Sequence, residues 1–500
     1  MESLNLLLDG LVAALTPMNL LWVFIGAMLG TAVGVLPGLG SAMAVALLLP
    51  ITFSLDPTSA MIMFAGVYFG GMFGDATSAI LLNTPGTSAA IATTFEGHKM
   101  ALDGRAPQAL ATAAIGAFVG SIIALCVVVF SAQTVVSLSL LLGPEDYFAI
   151  AIFAFVATSA ILAESVIRGL TAIAIGLTIA MVGVEPISGA TRLTGGVPEF
   201  FDGISIVVIT VGLLALGEVF NVAAKSGKGR QERTIASGRP WLSAREFRQS
   251  APAWLRGTAY GLPFGVIPAG GAEIPTFLAY GTEKALDNRR KPRTFGTGAI
   301  QGVAAPEAAG NATAGTAMGA LLALGLPTSA TAAVLILALQ QFGLQPGPLL
   351  FEGESDLVWT LLASLFIGSC VLLVLNLGFA PLWAKLLQIP KAYLYAGISV
   401  FCALGVYATS ATRVDLWLVL GIGLLGWVMR RYDIPLAPVL IAVVLGPLAE
   451  NKFREALAIS QGDASVLITS PFSVTLYAVL VIGLIAAVVI RTRSRKPVSA

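Results

Sequence analysis

Three short stretches in the first half of the chain decide its fold: Gly34-Val35-Leu36-Pro37-Gly38-Leu39-Gly40-Ser41, Gly74-Asp75-Ala76-Thr77 and Thr84-Pro85-Gly86-Thr87-Ser88-Ala89. The second half contains a related stretch for each, in the same order: Gly265-Val266-Ile267-Pro268-Ala269-Gly270-Gly271-Ala272, Gly310-Asn311-Ala312-Thr313 and Leu326-Pro327-Thr328-Ser329-Ala330. The pairs begin at positions 34 and 265, 74 and 310, and 84 and 326, so the offsets are 231, 236 and 242 residues. Three matches in register indicate a duplicated unit, and Gly/Pro interruptions at matching places are typical of membrane proteins built from repeats.

The composition indicates a membrane protein. Of the 500 residues, 57% are hydrophobic and only 11% are charged, whereas about 25% of the residues in a soluble domain are charged. Apolar stretches of roughly 17 residues or more recur along most of the chain, and each is long enough for a helix to cross about 30 Å of hydrocarbon. The composition therefore predicts an all-α polytopic membrane protein.

The apolar stretches are of two kinds. The longer ones read as full spans and lie near residues 18–35, 109–131, 145–162, 167–183, 204–222, 358–379, 393–409, 414–430, 435–449 and 473–490. The shorter ones are cut by Gly and Pro and lie near residues 41–55, 58–73, 75–95, 257–281, 296–325 and 326–342. The short pieces are typical of broken or re-entrant helical hairpins, and the whole pattern predicts about 11–13 crossings.

The distribution of charge predicts the orientation of the chain. Residues 223–256 contain eight basic and two acidic side chains, residues 491–500 contain four basic ones, and the first 98 residues contain no Lys or Arg. By the positive-inside rule, these two basic segments and the basic stretch 282–293 are cytoplasmic, and the N-terminus lies on the other side of the membrane. We therefore divide the chain into a first repeat with flanking helices (1–222), a basic cytoplasmic loop (223–256), a second repeat with flanking helices (257–490) and a basic cytoplasmic tail (491–500).

This orientation predicts that the two repeats insert into the membrane in opposite senses. Inverted repeats provide two related states, each open to one side of the membrane, which is the structural basis of alternating access.

The two proline-containing turns predict hairpin tips inside the membrane, which we call the first tip (residues 83–88) and the second tip (residues 325–329). Proline removes a backbone donor, glycine permits positive φ, and a following Ser or Thr can cap the next helix. A helix that begins inside the membrane directs unpaired N–H groups at the cavity, where they bind carboxylate without a basic side chain. We predict a site for a small anion with more than one carboxylate, lined by Gly38, Gly40, Ser41, Asn83, Thr84, Pro85, Gly86, Thr87, Ser88, Gly270, Gly271, Pro327, Thr328 and Ser329.

Polar and ionisable residues inside the apolar stretches are candidate ligands for a coupling ion, because burying such groups in a membrane is costly. The candidates are Asp75, Thr77, Glu273, Glu307, Asn311 and Thr313. Together with carbonyl groups of unwound helix ends, they could hold Na⁺. Two alternatives stay open: the Gly and Pro residues serve only close helix packing, or the acids lie at the membrane interface and pair with basic side chains of nearby loops.

Several classes of enzyme are excluded. His98, in the polar segment 96–105, is the only histidine, which rules out a histidine metal site and a nucleophile–histidine pair. The segment Ser226-Gly227-Lys228-Gly229 does not complete a phosphate-binding P-loop. We therefore predict no enzymatic activity, no nucleic-acid partner and no cofactor, unless Na⁺ serves as the coupling ion.

The same stretches resemble the large membrane subunit of the tripartite tricarboxylate transporter family, and the likeness covers nearly the whole chain. The most specific segments are Gly34–Ser41, Phe73–Ala90, Phe95–His98, Ala305–Ala312, Pro346–Pro348, Leu436–Pro438, Leu445–Glu450 and Ser460–Asp463. The resemblance implies a secondary active importer in the bacterial inner membrane, a small membrane subunit, a periplasmic substrate-binding protein, and a Na⁺ or H⁺ gradient as the energy source. The chain departs from the family at Pro268-Ala269-Gly270, where Pro-Gly is more usual.

From the residues and the resemblance together we expect the transporting subunit of a binding-protein-dependent importer of small carboxylates, citrate-like or dicarboxylate. The substrate would lie between the two tips, with Asp75 and Asn311 beside it, and membrane lipid would surround the protein. Two alternatives are an uncoupled carboxylate channel, uniporter or exporter, and a membrane scaffold that only anchors partner subunits.

Overall fold

The chain folds almost entirely into α-helices. The computed structural model describes residues 2–36, 38–162, 165–185, 189–224, 240–267, 271–289, 293–387, 389–410 and 412–494. In the first half the helices are α1 (Glu2–Ala14), α2 (Pro17–Val35), α3 (Ser41–Leu48), α4 (Pro57–Leu82), α5 (Ile91–Leu102), α6 (Ala106–Ser139), α7 (Pro144–Leu162), α8 (Val166–Ala180), α9 (Ile206–Thr210) and α10 (Gly217–Ala224). A π-helical turn at Val211–Leu216 makes α9 and α10 one continuous helical run.

The second half is also helical. Its helices are α11 (Ala244–Phe264), α12 (Glu273–Asp287), α13 (Gln301–Leu324), α14 (Ala330–Gln341), α15 (Pro348–Gly353), α16 (Ser355–Gly378), α17 (Ala380–Leu386), α18 (Lys391–Ser410), α19 (Arg413–Arg431), α20 (Leu436–Ile459) and α21 (Pro471–Ser494). In the described part of the chain, the strands are β1 (Gly183–Val184) and β2 (Thr191–Arg192), which pair antiparallel. Short 3₁₀ turns occupy Leu49–Ser54, Ser88–Ala90, Pro198–Phe200 and Ala464–Ile468.

The predicted fold class, an all-α membrane protein, is confirmed. Among the described residues, five helical runs are long and apolar enough to cross a membrane: Pro17–Val35, Ala106–Ser139, Ile206–Ala224, Ser355–Gly378 and Leu436–Ile459. Shorter apolar helices, among them Ser41–Thr52 and Ala330–Gln341, accompany them. The number of crossings and the opposite insertion of the two halves stay predictions.

The two Gly-Asp/Asn-Ala-Thr stretches do not interrupt their helices, so the predicted break between residues 73 and 75 is wrong. Helix α4 continues through Asp75, and α13 continues through Asn311. Position 74 requires a glycine because two helices pack closely there, and not because the chain turns. A Cβ atom added to Gly74 would lie 2.5 Å from the carbonyl oxygen of Thr31. Small residues that let two backbones approach are common in membrane helices.

The ends of α4 and α13 explain where the chain does turn. Asn83 follows α4 in the left-handed conformation with φ of 52°, and Gly325 follows α13 with φ of 67°. A left-handed residue after the last turn is a common way to end a helix, and Gly and Asn adopt it at least cost. Asn83 and Gly325 are 242 residues apart, which is also the offset between Pro85 and Pro327. Both tips therefore begin in the same way.

Helices α2 and α4 approach each other through glycines. A Cβ atom added at each of three α2 positions would lie 2.3–2.5 Å from a carbonyl oxygen of α4, and the positions are Gly26, Gly30 and Gly34. The glycines of α4 that face α2 are Gly66, Gly70 and Gly74. A spacing of four residues puts the three glycines of each helix on one helix face. The backbones of α2 and α4 are therefore in direct contact along these faces.

The same arrangement occurs between α11 and α13. Cβ atoms added at Gly257 and Gly261 of α11, and at Gly265 directly after it, would lie 2.1–2.3 Å from carbonyl oxygens of α13. These three glycines follow those of α2 at an offset of 231 residues. Thr313 strengthens the contact by donating its hydroxyl to the carbonyl oxygen of Gly261 at 3.1 Å.

The described residues form two compact units. The first contains the described parts of Met1–Ser137, Ser205–Ile267 and Gly271–Val428, and both glycine-mediated helix pairs belong to it. The second contains the described parts of Leu138–Ile204 and Met429–Ala500. Within the second unit, Glu450 of α20 binds Arg192 at 3.0 Å and Arg454 at 2.9 Å.

We predict that Gly261→Ala destabilises the protein, because its new methyl group would lie 2.2 Å from the carbonyl oxygen of Ala309. Overpacking of this kind costs about 1–3 kcal/mol, so thermal unfolding of the purified protein should shift to lower temperature. The matched control is Gly397→Ala in α18, where nothing lies within 4 Å of an added Cβ atom. An equal effect of the two substitutions would contradict the close contact between α11 and α13.

Candidate functional site

The first tip folds back onto the helices that precede it. A Cβ atom added to Gly86 would lie 2.5 Å from the carbonyl oxygen of Gly34 and 2.9 Å from Cβ of Asp75. Thr84 donates its hydroxyl to the carbonyl oxygen of Leu82 at 3.1 Å, which steadies the turn at the end of α4. The backbone of the tip therefore lies directly against Asp75 and the end of α2.

Two neighbouring hydroxyl groups of the first tip bind two different carboxylates. Thr87 donates its hydroxyl to Oδ2 of Asp75 on α4, and Ser88 donates its hydroxyl to Oε1 of Glu273. Glu273 is the first residue of α12, in the second half of the sequence. We expected Ser or Thr here to cap the following helix; that prediction is wrong for the first tip, because both hydroxyls are engaged by carboxylates.

The second tip approaches the same Glu273. A Cβ atom added to Gly271, whose φ is 92°, would lie 3.2 Å from Oε2 of Glu273 and 3.4 Å from Cβ of Ser329. The side chain of Tyr68 on α4 lies next to that of Ser329. Glu273 is thus bound by the first tip through Oε1, and Gly271, two residues before it, lies close to Ser329 of the second tip. Oε2 of Glu273 is buried without a partner among the described residues.

The second tip is buried and begins a capped helix. Ser329 accepts the backbone N–H of Ala332 at 3.2 Å, so the predicted capping of the following helix is confirmed for this tip. Pro327 and Thr328 are buried, and the hydroxyl of Thr328 has no hydrogen-bond partner in the described structure. This tip therefore holds an unsatisfied polar group next to a helix N-terminus.

The residues around the first glycine stretch contact the second tip. Ser41, at the start of α3, lies with its Oγ 3.0 Å from Oγ1 of Thr331 on α14. Gly40 precedes α3, and nothing lies within 4 Å of a Cβ atom added to it. Gly38 has a φ of 85°, and an added Cβ atom would lie 3.5 Å from Oε1 of Glu218. Each half therefore contributes a helix start that contacts the other half: Ser41 contacts α14 directly after the second tip, and Glu273 contacts Ser88 of the first tip.

A cavity of about 10 Å³ lies beside the first tip. Asp75 of α4 and Glu307 of α13 both line it, together with Asn311, Thr276 and Gly310. Asp75, Glu307 and Asn311 are 2%, 5% and 1% exposed. Two carboxylates from different halves of the chain therefore share one buried space.

The hydrogen bonds of Glu307 and Asn311 in this cavity leave one buried oxygen, Oδ1 of Asn311, without a donor among the described residues. Thr93 of α5 donates its hydroxyl to Oε1 of Glu307. Asn311 donates its amide nitrogen to the carbonyl oxygen of Glu307 at 3.0 Å, while its Oδ1 is buried and has no partner among the residues described.

Asp75 and Asn311 were expected to occupy matching positions in the two halves, and the helix ends show that they do not. Asp75 lies eight residues before Asn83, whereas Asn311 lies 14 residues before Gly325. At 1.5 Å per residue, this difference of six residues is about 9 Å along the helix. They share a cavity because α13 crosses α4, and not because they are equivalent in the repeat.

The other predicted residues have different surroundings. Thr77 is buried on α4, and Thr313 joins α11 to α13. Pro85 follows Thr84 at the apex of the first tip. Gly270 lies outside the described residues.

Sequence reasoning missed Tyr68, Thr93 and Thr276. It also placed Glu96 and His98 in a polar loop, which is wrong because both lie on helix α5. Glu96 is fully buried and accepts the backbone N–H groups of a loop that precedes α13, and the donors are Gly296, Gly298 and Ala299. Its carboxylate is thus fully used in holding that loop.

Hairpin tips whose hydroxyl groups and helix ends face a carboxylate, on a framework of apolar helices, are typical of membrane transport proteins. Residues 20–441 match the model of the "Tripartite tricarboxylate transporter TctA family". The chain belongs to this family. The family is one of transporters and not of enzymes, and its tripartite organisation implies a small membrane subunit and a periplasmic binding protein as partners.

Two proteins of Agrobacterium vitis are similar to the chain. One, named "Uncharacterized 52.8 kDa protein in TAR-I ttuC' 3'region", is 38% identical over 499 residues, which are 99% of this chain and 98% of that protein. The other, named "Uncharacterized protein in TAR-II ttuC' 3'region", is 38% identical over 232 residues, which are 46% of this chain and 95% of that protein. No solved structure matches the chain.

We predict that Asn83→Gly keeps the first tip intact whereas Asn83→Val disrupts it. Asn83 has a φ of 52°, and a β-branched residue in the left-handed conformation costs roughly 1–2 kcal/mol. Thermal unfolding of the two purified variants measures the difference. Equal stability of the glycine and valine variants would contradict the left-handed turn at the end of α4.

Proposed function

We propose that the chain is the transporting subunit of a binding-protein-dependent secondary active importer of small carboxylates, either citrate-like tricarboxylates or dicarboxylates. Transport would be driven by a gradient of Na⁺ or H⁺ and would proceed by alternating access in the bacterial inner membrane. The small membrane subunit would associate with this chain, and the periplasmic binding protein would deliver the substrate. Family membership supports the class of transporter, and the geometry of the tips supports the class of substrate.

One observation carries the proposal: the first tip already binds a carboxylate, that of Glu273. Ser88 of the first tip donates to it, and Gly271, which is close to Ser329 of the second tip, lies beside its other oxygen. A site that accommodates an internal carboxylate has the donors and the space that a carboxylate of a substrate requires. We propose that a substrate carboxylate replaces that of Glu273 between the tips.

Helix ends would provide the remaining attraction for the anion. Helix α12 starts at Glu273 and α14 starts directly after Ser329, so the partial positive charge of each N-terminus faces the same region. None of the six repeated stretches contains Lys or Arg. Hydroxyls and helix ends attract the anion only moderately. Moderate binding suits a transport site, because the site must also release its substrate.

Alternating access would follow from the cross-contacts between the halves. Ser41 contacts Thr331 of the helix that follows the second tip, and Glu273 contacts Ser88 of the first tip, so a helix start of each half binds to the other half. Exchanging these two contacts for others would open one side of the site while the other side stays closed. We propose that a substrate carboxylate triggers this exchange by taking the place of Glu273 at Ser88.

Reconstituted transport tests the proposal. Proteoliposomes that contain this chain and its small membrane subunit are supplied with labelled citrate and a panel of di- and tricarboxylates, with and without the binding protein and an inward Na⁺ or H⁺ gradient. We expect accumulation that requires both the binding protein and one gradient. Equilibration that is independent of either gradient would instead assign an uncoupled channel or uniporter, and outward transport alone would assign an exporter.

We predict opposite effects of Glu273→Gln and Ser88→Ala on the binding of whichever carboxylate is transported. Glu273→Gln removes the charge that competes with the substrate, so affinity should rise about threefold to tenfold, or roughly 0.7–1.4 kcal/mol. Ser88→Ala removes a donor, so affinity should fall. Binding of labelled substrate to the purified membrane complex measures both.

The matched control for these two variants is Glu352→Gln, an exposed acid of α15, which should leave affinity unchanged. Weaker binding by Glu273→Gln would show that this carboxylate assists the substrate instead of competing with it.

A further inference from the structure

The cavity beside the first tip has the composition of a cation site. It is lined by two carboxylates, Asp75 and Glu307, and by Asn311, whose buried Oδ1 has no donor among the described residues. Asn311 is 1% exposed. An amide oxygen that is buried without a hydrogen-bond partner lowers stability by about 1–3 kcal/mol. A bound cation would remove this cost.

The charges around the cavity also call for a cation. Asp75 and Glu307 both line the cavity, and the residues that line it include no Lys or Arg. Each carboxylate receives one hydroxyl donor, from Thr87 and Thr93 respectively. One hydroxyl does not compensate a buried carboxylate, because removing such a group from water costs several kcal/mol.

We propose that Asp75, Glu307 and Asn311 bind one Na⁺ ion in this cavity. The volume of about 10 Å³ corresponds to a single atom of the size of a water molecule. Ca²⁺ takes six to eight oxygen ligands, and Mg²⁺ requires a nearly ideal octahedron and keeps several waters. A space for one atom, with three oxygen-bearing side chains around it, therefore fits a monovalent ion better.

Two adjacent residues of the first tip connect this ion site to the carboxylate site at Glu273. Thr87 binds Asp75 of the ion site, and Ser88 binds Glu273 of the carboxylate site. An ion that draws Asp75 towards the cavity would shift Thr87, and with it Ser88. This step rests on the proposed function, since it makes the ion the coupling ion of the importer, whereas ion binding itself does not depend on that function.

Direct Na⁺ binding without any carboxylate tests the site. Binding of ²²Na⁺ is measured on the purified chain with its small membrane subunit in lipid nanodiscs, with choline replacing Na⁺ at constant ionic strength. We expect saturable binding, weakened about tenfold or more by Asp75→Asn and by Glu307→Gln, each of which removes a charged ligand. Asn311→Ala should also weaken it.

Gly310→Ala provides a variant that keeps every charge. Its added Cβ atom would lie 3.4 Å from Cγ2 of Thr276 and 3.6 Å from Cε of Met72, so it fits without a clash while taking up space in the cavity. We expect weaker Na⁺ binding with unchanged thermal stability in the absence of Na⁺. Glu352→Gln is the control that should leave binding unchanged.

Three results would overturn the proposal. They are the absence of saturable Na⁺ binding, Na⁺ binding that survives both Asp75→Asn and Glu307→Gln, and saturable binding of Ca²⁺ in place of Na⁺. Because no carboxylate is present, these results leave the proposed carboxylate site untouched, and that site fails separately if no carboxylate is transported.

The connection through residue 87 has its own readout. Thr87→Val should lower the factor by which Na⁺ raises carboxylate affinity, and Thr87→Ser should restore it, because only the hydroxyl is needed. By linkage, the same factor describes the effect of carboxylate on Na⁺ affinity. An unchanged factor in the valine variant would disprove the connection.

Discussion

The close backbone contact between α2 and α4, repeated between α11 and α13, is the constraint on which the rest of the first unit depends. Glycines four residues apart let each pair of helices touch at the main chain, where packing and not water exclusion provides the attraction in a membrane. This contact fixes the end of α2 against α4, and Gly86 of the first tip then packs on the carbonyl oxygen of Gly34. The position of the tip, and of Thr87 and Ser88 within it, follows from that backbone contact.

The polar chemistry of this region relies on hydroxyl groups instead of basic side chains. Each of three carboxylates, of which Asp75 and Glu307 are buried, receives a hydroxyl from a different residue: Asp75 from Thr87, Glu273 from Ser88, and Glu307 from Thr93. A lysine or arginine in these places would form a permanent ion pair that costs several kcal/mol to break inside a protein. Hydroxyls can exchange one carboxylate for another at much lower cost. Such exchange suits a protein whose family moves carboxylates across a membrane.

Glu96 shows what a carboxylate in the same unit looks like when its role is structural. Its two oxygens accept three backbone N–H groups and the hydroxyl of Tyr280, and no oxygen is left over. Glu273 and Asn311 differ, since each retains a buried oxygen without a partner in the described structure. Buried polar groups are normally satisfied, and these two unsatisfied oxygens belong to residues close to the first tip. The contrast separates the groups that hold the fold from those available to ligands.

The sequence by itself determined the all-α membrane class, the positions of most long helices and the two tips, because apolar length and Pro/Gly turns are local properties of the chain. It also identified Asp75, Glu273 and Glu307 as unusual acids in apolar surroundings. Only the tertiary structure decided that the Gly-Asp-Ala-Thr stretch continues a helix, since that depends on what Gly74 packs against. The pairing of Ser88 with Glu273 joins residues 185 apart, and Thr93 meets Glu307 across 214 residues. Such contacts depend on how the helices cross, which no local pattern specifies.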